Sequence, residues 1–537
     1  MKTKFIFVLG GVMSGLGKGI SASSIGYLLK SAGLRVNILK LDPYLNVDPG
    51  TMNPYQHGEV FVLDDGSETD LDLGHYERFI DENMSKMNNA TAGQIYSTVL
   101  DKERSGSYLG ETVQVIPHVT DEIKNRMNAL SKSKKYDIII CEVGGTVGDI
   151  ESLPFLEAIR QLSLELGYHN SLIIHLTLLP FIDASGEIKT KPTQHSVMKL
   201  REIGLSPDFI FCRTKNEINR DIKEKLALFC NVKFEHVIEN KDVSSIYEVP
   251  LLLENQNITK MICDRLSLKN KPSIKKLQNF IKTYKNPEST IKIAMCGKYT
   301  ELPDAYKSVL EAFIHAGVEN DTRVKVSWIS TEKIKDDKSA KNQFDNCDGI
   351  LLLPGFGSRG SEGKILSCKH SRENNIPFLG LCLGLQCAVI EFARNVCRLD
   401  GANSTEFDKN TSHPVIDLME SQRAIRRKGG TMRLGAYSCE LLPNTKAYKE
   451  YKKKNISERH RHRWEVNNRY RSRLEKGGLV ISGINKELNL VEIIENPDHP
   501  WFIASQFHPE LKSRLNKAHP LFRGFIGASL KYKLSKA

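Results

Sequence analysis

Gly380-Leu-Cys-Leu-Gly384 follows the apolar run 376–379 and puts a cysteine where a buried strand would turn sharply into a helix. Glycines beside such a turn relieve crowding, so the thiol stands clear of the sheet. The pattern predicts an α/β domain with a nucleophilic cysteine at the turn. Cys382 alone is more typical of a buried structural cysteine, so the prediction depends on partners elsewhere in the chain.

A histidine and a carboxylate that could serve this thiol lie near the C-terminus. The strand-like run 501–505 ends just before His508 and Glu510. Histidine can take the thiol proton, and a carboxylate two residues on can orient the imidazole. Such a partner matters because a free thiol is only a few per cent ionised at neutral pH. We therefore predict Cys382, His508 and Glu510 as catalytic residues that hydrolyse or transfer an acyl group.

The N-terminal part of the chain indicates a nucleotide site. A buried strand at 5–9 leads into a glycine-rich turn, Lys18 and an amphipathic helix at 20–32. This arrangement brings backbone N–H groups and a lysine around phosphates. Two features depart from the standard phosphate loop: Gly11 lies one residue too far from Lys18, and Gly19 replaces the usual magnesium-binding Ser or Thr. A glycine-rich turn without a ligand is the alternative.

Two acidic residues are candidates for a magnesium site. Glu142 ends the apolar run 137–142, the usual place for an acid beside a phosphate loop in a parallel sheet. Asp72 ends the acid-rich stretch 64–72, which by itself is typical of a solvated loop. Because Lys18 and Glu142 belong to the same predicted domain, we predict that Asp72 and Glu142 hold Mg²⁺.

Composition narrows the class of protein. With 537 residues the chain is too long for one ordinary core, and its 40% hydrophobic and 26% charged content is typical of a globular enzyme without a membrane span. Eleven cysteines without a CxxC pair fit a reducing compartment, and no cleavage site follows the first apolar run, so we expect a cytoplasmic protein. The net charge is +12, with the excess in 423–476. Few aromatic residues stand between the basic residues of this segment, although base stacking would need them. We therefore expect a solvated surface that binds small anions and does not bind nucleic acid.

Strand-like and helical runs alternate on both sides of residue 270, which predicts two doubly wound α/β domains. The predicted strands lie at 36–41, 138–141, 172–176, 209–212, 291–295, 324–329, 349–353 and 378–381. Residues 269–289 are polar, lysine-rich and interrupted by prolines. They predict a linker with a short helix at about 274–282.

Separated blocks along nearly the whole chain carry a resemblance. They lie at 10–19, 40–52, 56–60, 68–78, 144–152, 189–195, 301–308, 402–407, 429–435 and 459–463. Together they resemble the CTP synthases, ligases that aminate UTP with glutamine nitrogen and ATP. The resemblance implies an N-terminal P-loop-like amidoligase (synthase) domain at 1–268, a linker at 269–289 and a class I glutamine amidotransferase domain at 290–537. It also implies GTP as activator, CTP as product inhibitor and a homotetramer.

The resemblance also assigns individual residues. For ATP it implies Gly15, Leu16, Gly17, Lys18, Gly19, Ile20, Asp72 and Val243. For UTP or CTP it implies Ser14, Asp149, Ile150, Glu151, Lys189, Thr190, Lys191, Pro192, Thr193, Gln194 and Lys225. For L-glutamine it implies Gly355, Leu383, Gly384, Leu385, Gln386, Glu406 and Arg463, whose guanidinium fork suits an α-carboxylate. His57 and Val60 would lie on the path of ammonia, and Arg359, Gly360 and Glu362 in a lid that responds to GTP.

One loop departs from the family pattern Pro-Gly-Gly-Phe-Gly. Leu353-Pro354-Gly355-Phe-Gly keeps a single glycine there, and the segment 420–428 also looks shorter than in many relatives. The loop is expected to supply an oxyanion donor worth roughly 3 kcal/mol of transition-state stabilisation. Since proline has no N–H, Gly355 must provide it. Two other functions stay open: a glutamine-dependent ligase acting on a different carboxylate or amide, and a non-enzymatic nucleotide-sensing or filament-forming scaffold.

Overall fold

The computed structural model describes residues 3–47, 58–298, 300–419 and 432–536. The chain divides into two compact units. Met1–Pro49 with Asp72–Ile281 make up the N-terminal unit, and Gly50–Leu71 with Lys282–Ala537 make up the C-terminal unit.

The strands are β1 (Lys4–Gly10), β2 (Val36–Asp42), β3 (Phe61–Val62), β4 (Glu68–Thr69), β5 (Asn89–Thr91), β6 (Ile138–Val143), β7 (Ser171–Leu178), β8 (Phe181–Ile182), β9 (Glu187–Ile188), β10 (Phe209–Thr214), β11 (Val237–Lys241), β12 (Ser289–Gly297), β13 (Thr322–Ser330), β14 (Gly349–Leu352), β15 (Phe378–Leu381), β16 (Ala402–Ser404), β17 (His413–Leu418), β18 (Arg433–Leu441), β19 (Asn455–His462), β20 (Trp464–Val466), β21 (Val480–Asn485), β22 (Leu490–Glu495) and β23 (Phe502–Ser505). The helices are α1 (Lys18–Ser31), α2 (Leu71–Ile80), α3 (Ala92–Arg104), α4 (Thr120–Lys132), α5 (Leu153–Leu166), α6 (Lys191–Glu202), α7 (Arg220–Cys230), α8 (Val249–Glu254), α9 (Ile258–Arg265), α10 (Lys275–Lys285), α11 (Lys307–Glu319), α12 (Asp337–Phe344), α13 (Ser361–Glu373), α14 (Leu383–Asn395), α15 (Lys446–Tyr451), α16 (Asn468–Lys476) and α17 (Pro520–Lys536).

The N-terminal unit is built on a seven-stranded sheet. Its strand order is β11-β10-β7-β1-β6-β2-β5, and every pairing is parallel. The central strands are near-continuous apolar runs because the sheet is covered on both faces. Strand order reverses around β1, so the carboxyl ends of β1 and β6 border the crevice where ligands bind in such sheets.

The C-terminal unit contains a nine-stranded mixed sheet in the order β13-β12-β14-β15-β23-β22-β21-β18-β19. The first five strands are parallel, as the alternating pattern predicts, and the remaining strands are antiparallel. A three-stranded sheet, β16-β17-β20, and the hairpin β3-β4 belong to the same unit. Because β15 and β23 run side by side in parallel, Leu381 pairs with Ser505, and the segments that follow these strands emerge together.

The two-domain α/β prediction is therefore confirmed in its elements. Each predicted strand is present, with ends that differ by a few residues at most, and the helix expected at about 274–282 runs from Lys275 to Lys285. Within the described residues, none of the helices combines the length and the apolar character that a membrane crossing requires. The eleven cysteines are all buried and none forms a disulfide.

The prediction of a solvated basic surface at 423–476 is wrong for Arg459, His460 and His462, which are buried. Arg459 is fully buried on β19, and its Nε lies 2.5 Å from Oδ1 of Asp64. The Nε of Arg461 lies 2.8 Å from Oε1 of Glu68. Buried guanidinium groups require such partners, and the acid-rich stretch that follows residue 63 supplies them within the same unit.

Candidate active sites of the two units

Cys382 occupies a strained turn between β15 and α14. Its φ of 53° and ψ of −99° are rare for a residue with a side chain, and its N–H donates to the carbonyl of Ser505 at 2.7 Å. The helix begins directly over the sheet, so that a Cβ added to Gly384 would lie 3.0 Å from the Cβ of Leu352. The strand-to-helix turn predicted from the two flanking glycines is present.

His508 and Glu510 lie beside this thiol. The Nδ1 of His508 is 2.7 Å from Oε1 of Glu510, and both side chains are buried. Burial opposes the imidazolium, but the charge of Glu510 and that of the thiolate raise the pKa of His508 to about 10. Burial likewise opposes the thiolate, but His508 and His462 lower the pKa of Cys382 to about 6. The structure thus favours a thiolate facing charged imidazoles at neutral pH.

The thiol opens onto a cavity of about 300 Å³. Two residues predicted for glutamine and ammonia, Gly355 and Val60, line this cavity together with the predicted catalytic residues. Arg461, which the sequence did not single out, lines it as well. Its guanidinium carbon lies 5.7 Å from the centre of the Phe356 ring. The cavity therefore combines a nucleophile, a cation and apolar walls, as a site for a small amino-acid substrate requires.

The loop 353–357, which departs from the family pattern, is held at three points. The Nζ of Lys364 donates to the carbonyl of Leu353 at 2.7 Å, and Lys298 donates to the carbonyl of Phe356. The N–H of Gly357 donates to Oε1 of Glu406 at 2.7 Å. Lys364 is buried, and burial lowers its pKa. Sequence reasoning missed both lysines because lysine is usually a solvated side chain and no local pattern distinguishes these two.

In the N-terminal unit, Lys18 turns toward the loop that follows β6. Its Nζ donates to the carbonyl of Gly145 at 2.7 Å, and the N–H of Val147 donates to the carbonyl of Gly10 at 2.7 Å. Burial lowers the pKa of Lys18, an effect that the charge of Glu142 opposes. The glycine-rich turn and the loop after β6 therefore meet at the carboxyl end of the sheet, where the sequence predicts phosphates.

The two predicted magnesium ligands converge on one cation. Lys40 pairs with Glu142 across β2 and β6, with Nζ 3.0 Å from Oε1, and it also forms an ion pair with Asp72. The hydroxyl of Tyr76 donates to Glu142. Burial raises the pKa of Glu142, while Lys40 outweighs burial and lowers that of Asp72. Lys40 stands in a sequence block that resembles the family, but it was not predicted as a site residue, because lysine is no metal ligand.

The donor set fits magnesium. Carboxylate oxygens are hard ligands, and Mg²⁺ is commonly held by one or two carboxylates together with substrate phosphates. Asp72 and Glu142 both form ion pairs with Lys40, so their carboxylates lie close enough together to bind one Mg²⁺ jointly.

The close approach of Asp72 explains why Gly19 replaces the Ser or Thr of the usual phosphate loop. A Cβ at this position would lie 2.8 Å from Cγ of Asp72 and closer still to Oδ1. A Ser or Thr would therefore collide with the carboxylate. Asp72 occupies the space in which the usual hydroxyl would stand, and only glycine permits this approach.

The chain was compared with known proteins. The family model described as CTP synthase N-terminus matches residues 4–268, and that described as glutamine amidotransferase class-I matches residues 301–528. A CTP synthase of Caldanaerobacter subterraneus subsp. tengcongensis is 58% identical over 99% of each chain. CTP synthases of Cytophaga hutchinsonii (98% of each chain) and Hydrogenobaculum sp. (100% of this chain, 99% of the relative) are both 56% identical. The chain belongs to the CTP synthase family.

Membership of the CTP synthase family defines the reaction. The protein is an ATP-using, glutamine-hydrolysing ligase that converts UTP to CTP in pyrimidine biosynthesis. The alternative of a ligase for a different carboxylate or amide does not fit full-length identities of 56–58% to CTP synthases.

The positions expected to bind UTP or CTP in a CTP synthase form two groups. Asp149, Ile150 and Glu151 follow the loop after β6, where Oδ2 of Asp149 accepts from the N–H of Thr146 at 2.9 Å. The second group covers residues 189–194 at the start of α6 and Lys225 on α7. Lys189 pairs with Glu187, and the charge of Lys225 also lowers the pKa of Glu187. Within the described ranges no hydrogen bond joins the two groups.

The remaining nucleotide-site predictions, Ser14 for UTP or CTP and Val243 for ATP, lie at the loops of the first sheet. Ser14 is exposed in the glycine-rich loop, and Val243 follows β11. Arg213, which sequence reasoning missed, approaches this loop: its Nη1 would lie 3.2 Å from a Cβ at position 17. Arg213 is the penultimate residue of the buried strand β10, and a charged residue at that place was the signal available in the sequence.

The other glutaminase predictions are spread over several elements. Leu383, Gly384, Leu385 and Gln386 begin α14, where Nε2 of Gln386 donates to the carbonyl of Trp464 at 2.9 Å. Arg463 is partly exposed just after β19. The lid positions form separate ion pairs, with Arg359 3.6 Å from Glu332 and Glu362 2.8 Å from Arg394, and Gly360 precedes α13. His57 and the segment 420–428 lie outside the described residues.

Proposed function

We propose that this protein forms CTP by dividing the reaction between its two units. The C-terminal unit releases ammonia from glutamine at Cys382, and the N-terminal unit activates UTP with ATP. The observation that carries the assignment is the strained turn at Cys382, with its thiol beside the ion pair between His508 and Glu510. We assign the synthase, linker and amidotransferase regions to 1–268, 269–289 and 290–537.

In the glutaminase reaction the Cys382 thiolate attacks the amide carbon of glutamine. The N–H of Gly355, on the loop fixed by Lys298 and Lys364, stabilises the oxyanion. His508 gives its proton to the leaving ammonia, and Glu510 holds the imidazole in position. Glu406, Arg463 and the start of α14 bind the substrate, with Arg463 toward the α-carboxylate. Val60 lies at the exit for ammonia, since it lines the cavity that contains the thiol.

In the synthase reaction the 4-oxygen of UTP is phosphorylated, because that oxygen is otherwise a poor leaving group, and ammonia then displaces the phosphate. Lys18 and residues 15–20 bind the phosphates of ATP, and Val243 contributes to the same site. Asp72 and Glu142 would hold Mg²⁺, which neutralises charge on the transferred phosphoryl group when bound. Ser14, 149–151, 189–194 and Lys225 bind UTP or CTP. Lys40 keeps the two carboxylates together before the nucleotide arrives.

We further propose regulation and assembly of the kind that the family resemblance implies. GTP activates glutamine hydrolysis through Arg359, Gly360 and Glu362, CTP inhibits, and the enzyme is a cytoplasmic homotetramer. Support for the lid comes from the ion pair between Glu362 and Arg394, which ties the start of α13 to α14, the helix that follows the nucleophile.

The nucleophile is tested by replacing Cys382 with alanine. Cys382→Ala should lose glutamine hydrolysis and retain CTP synthesis from ammonium, since the thiolate serves only to release ammonia. Cys387→Ala is the matched control: this buried cysteine is on α14, the helix that follows the nucleophile, and burial raises its pKa to about 12, so it is no nucleophile. Loss of both activities in Cys382→Ala, or loss of glutamine hydrolysis in Cys387→Ala, would contradict the assignment.

A further inference from the structure

A second histidine–carboxylate pair lies beside the Cys382 thiol. His462 ends β19, and its Nε2 is 2.7 Å from Oε1 of Glu465. The thiol rests against the same strand, with Sγ 4.0 Å from the carbonyl oxygen of Arg461. The Nδ1 of His462 is buried, and among the described residues it finds no hydrogen-bond partner. The pair resembles the proposed catalytic pair, except that Nε2 of His462, and not Nδ1 as in His508, faces the carboxylate.

A buried chain of ions fixes this second pair. Arg433 donates from Nη1 to Oε1 of Glu465 at 2.9 Å and from Nη2 to Oε1 of Glu492 at 2.6 Å. The side chains of all three are at most 4% exposed. Buried charges are stable only when each is paired, so Glu465 is held firmly and turns Nε2 of His462 toward itself. That leaves Nδ1 as the nitrogen available to a further group.

The neighbouring titratable groups decide which histidine is charged. Glu465 and the Cys382 thiolate overcome burial and raise the pKa of His462 to about 9. His460 lies on the same strand with its ring centre 5.2 Å from that of His462, and its Nε2 is 3.4 Å from Oε2 of Glu492. Burial, and after it the charge of Arg433, lower the pKa of His460 well below its usual value. At neutral pH the imidazole of His462 is therefore charged and that of His460 is neutral.

We propose that His462 is a second imidazolium that stabilises the Cys382 thiolate. Glu465 positions it, and Arg433 with Glu492 positions Glu465. The proposal rests on the proposed role of Cys382 as nucleophile. His462 thereby differs from His508, because it holds a proton that the reaction does not consume.

This retained charge matters most after ammonia has left. His508 has then given up its proton, so it is neutral in the thioester intermediate and takes a proton from the attacking water. The water oxygen bonds to the acyl carbon, the C–S bond breaks, and its electron pair goes to sulfur, which leaves as thiolate while glutamate forms. His462 is still charged at this step and stabilises the departing sulfur of Cys382.

The test is the pH dependence of Cys382 alkylation by iodoacetamide in the full-length enzyme. His462→Gln removes the charge, and Glu465→Gln weakens it while keeping the shape of the site. Both variants should move the alkylation profile to higher pH by one pH unit or more, which from a pKa of about 6 lowers the rate at about pH 6.5 roughly threefold or more. Glutamine hydrolysis should fall in parallel, while CTP synthesis from ammonium persists, and the melting transition of each variant shows that it is folded. His460→Gln, from the same strand, should keep the wild-type profile.

An unchanged alkylation profile in a folded His462→Gln overturns the proposal. If that variant does not fold, the profile of Glu465→Gln decides in the same way. A profile shifted equally by His460→Gln also overturns it, because the effect would then report a disturbed strand. Glutamine hydrolysis by Cys382→Ala would overturn the nucleophile assignment itself, and this outcome is distinct from an unchanged profile in an enzyme that needs Cys382.

Discussion

Replacing Gly19 with alanine should lower the rate of CTP synthesis, although most phosphate loops carry a side chain at this position. The added Cβ would lie 2.8 Å from Cγ of Asp72, where ordinary contact begins at 3.4 Å. Asp72 cannot simply swing aside because Lys40 holds its carboxylate. The carboxylate must therefore retreat by at least about 0.6 Å, and overpacking of this kind costs about 1–3 kcal/mol.

The assay is CTP formation from UTP, ATP, magnesium and ammonium. Misplacing a catalytic group by about 1 Å can cost on the order of 100-fold in rate, so Gly19→Ala should lose about 10- to 100-fold. Glutamine hydrolysis at Cys382 should persist. Ser24→Ala is the control from the same helix, since its buried hydroxyl makes no hydrogen bond to the described residues. Normal synthesis by Gly19→Ala would refute the reasoning, and equal loss of both activities would indicate misfolding instead of a displaced Asp72.

Three further predictions concern single side chains. Glu510→Gln should lower the pKa of His508 from about 10, so the imidazolium, present below that pKa, is lost earlier as pH rises. The alkaline limb of glutamine hydrolysis then moves to lower pH, and an unmoved limb would contradict the pairing. Lys364→Met should lower glutamine-dependent synthesis about tenfold by freeing the carbonyl of Leu353, with ammonium-dependent synthesis intact as the check. Glu151→Ala should weaken CTP inhibition about tenfold, much more than it raises the KM for UTP, because an acidic acceptor suits the cytosine amino group; parallel changes would refute this.

The sequence was sufficient for elements whose signal is local. Buried parallel strands are continuous apolar runs, and the turn at Cys382 needs glycines at fixed positions, so both were predictable. The antiparallel half of the second sheet was not, because nothing in a short strand says which neighbour it pairs with. Likewise, the arginines at 459–463 are exposed or buried according to partners that lie far away in sequence, at Asp64 and Glu68.

The same distinction between local motifs and long-range contacts applies to the residues of the candidate sites. Cys382 and Lys18 stand in motifs whose residue types and spacing express their chemistry. In this account Lys40 acts on Glu142 of the neighbouring strand and His462 acts on the Cys382 thiol, and only the folded sheet brings the members of each pair together. Glu465, the partner of His462, is three residues away in sequence. The residue types of Lys40 and His462 are equally common in solvated positions, so the sequence offers no ground for choosing them.

The central claim is that Cys382 releases the nitrogen that enters CTP, and isotope transfer measures this most directly. The enzyme is given UTP, ATP and magnesium with amide-¹⁵N glutamine, and CTP is analysed by mass spectrometry. Wild-type enzyme should produce CTP with ¹⁵N in its amino group. Cys382→Ala should produce none from labelled glutamine but fully labelled CTP from ¹⁵N ammonium. Labelled CTP from glutamine in Cys382→Ala, or no CTP from ammonium, would contradict the account.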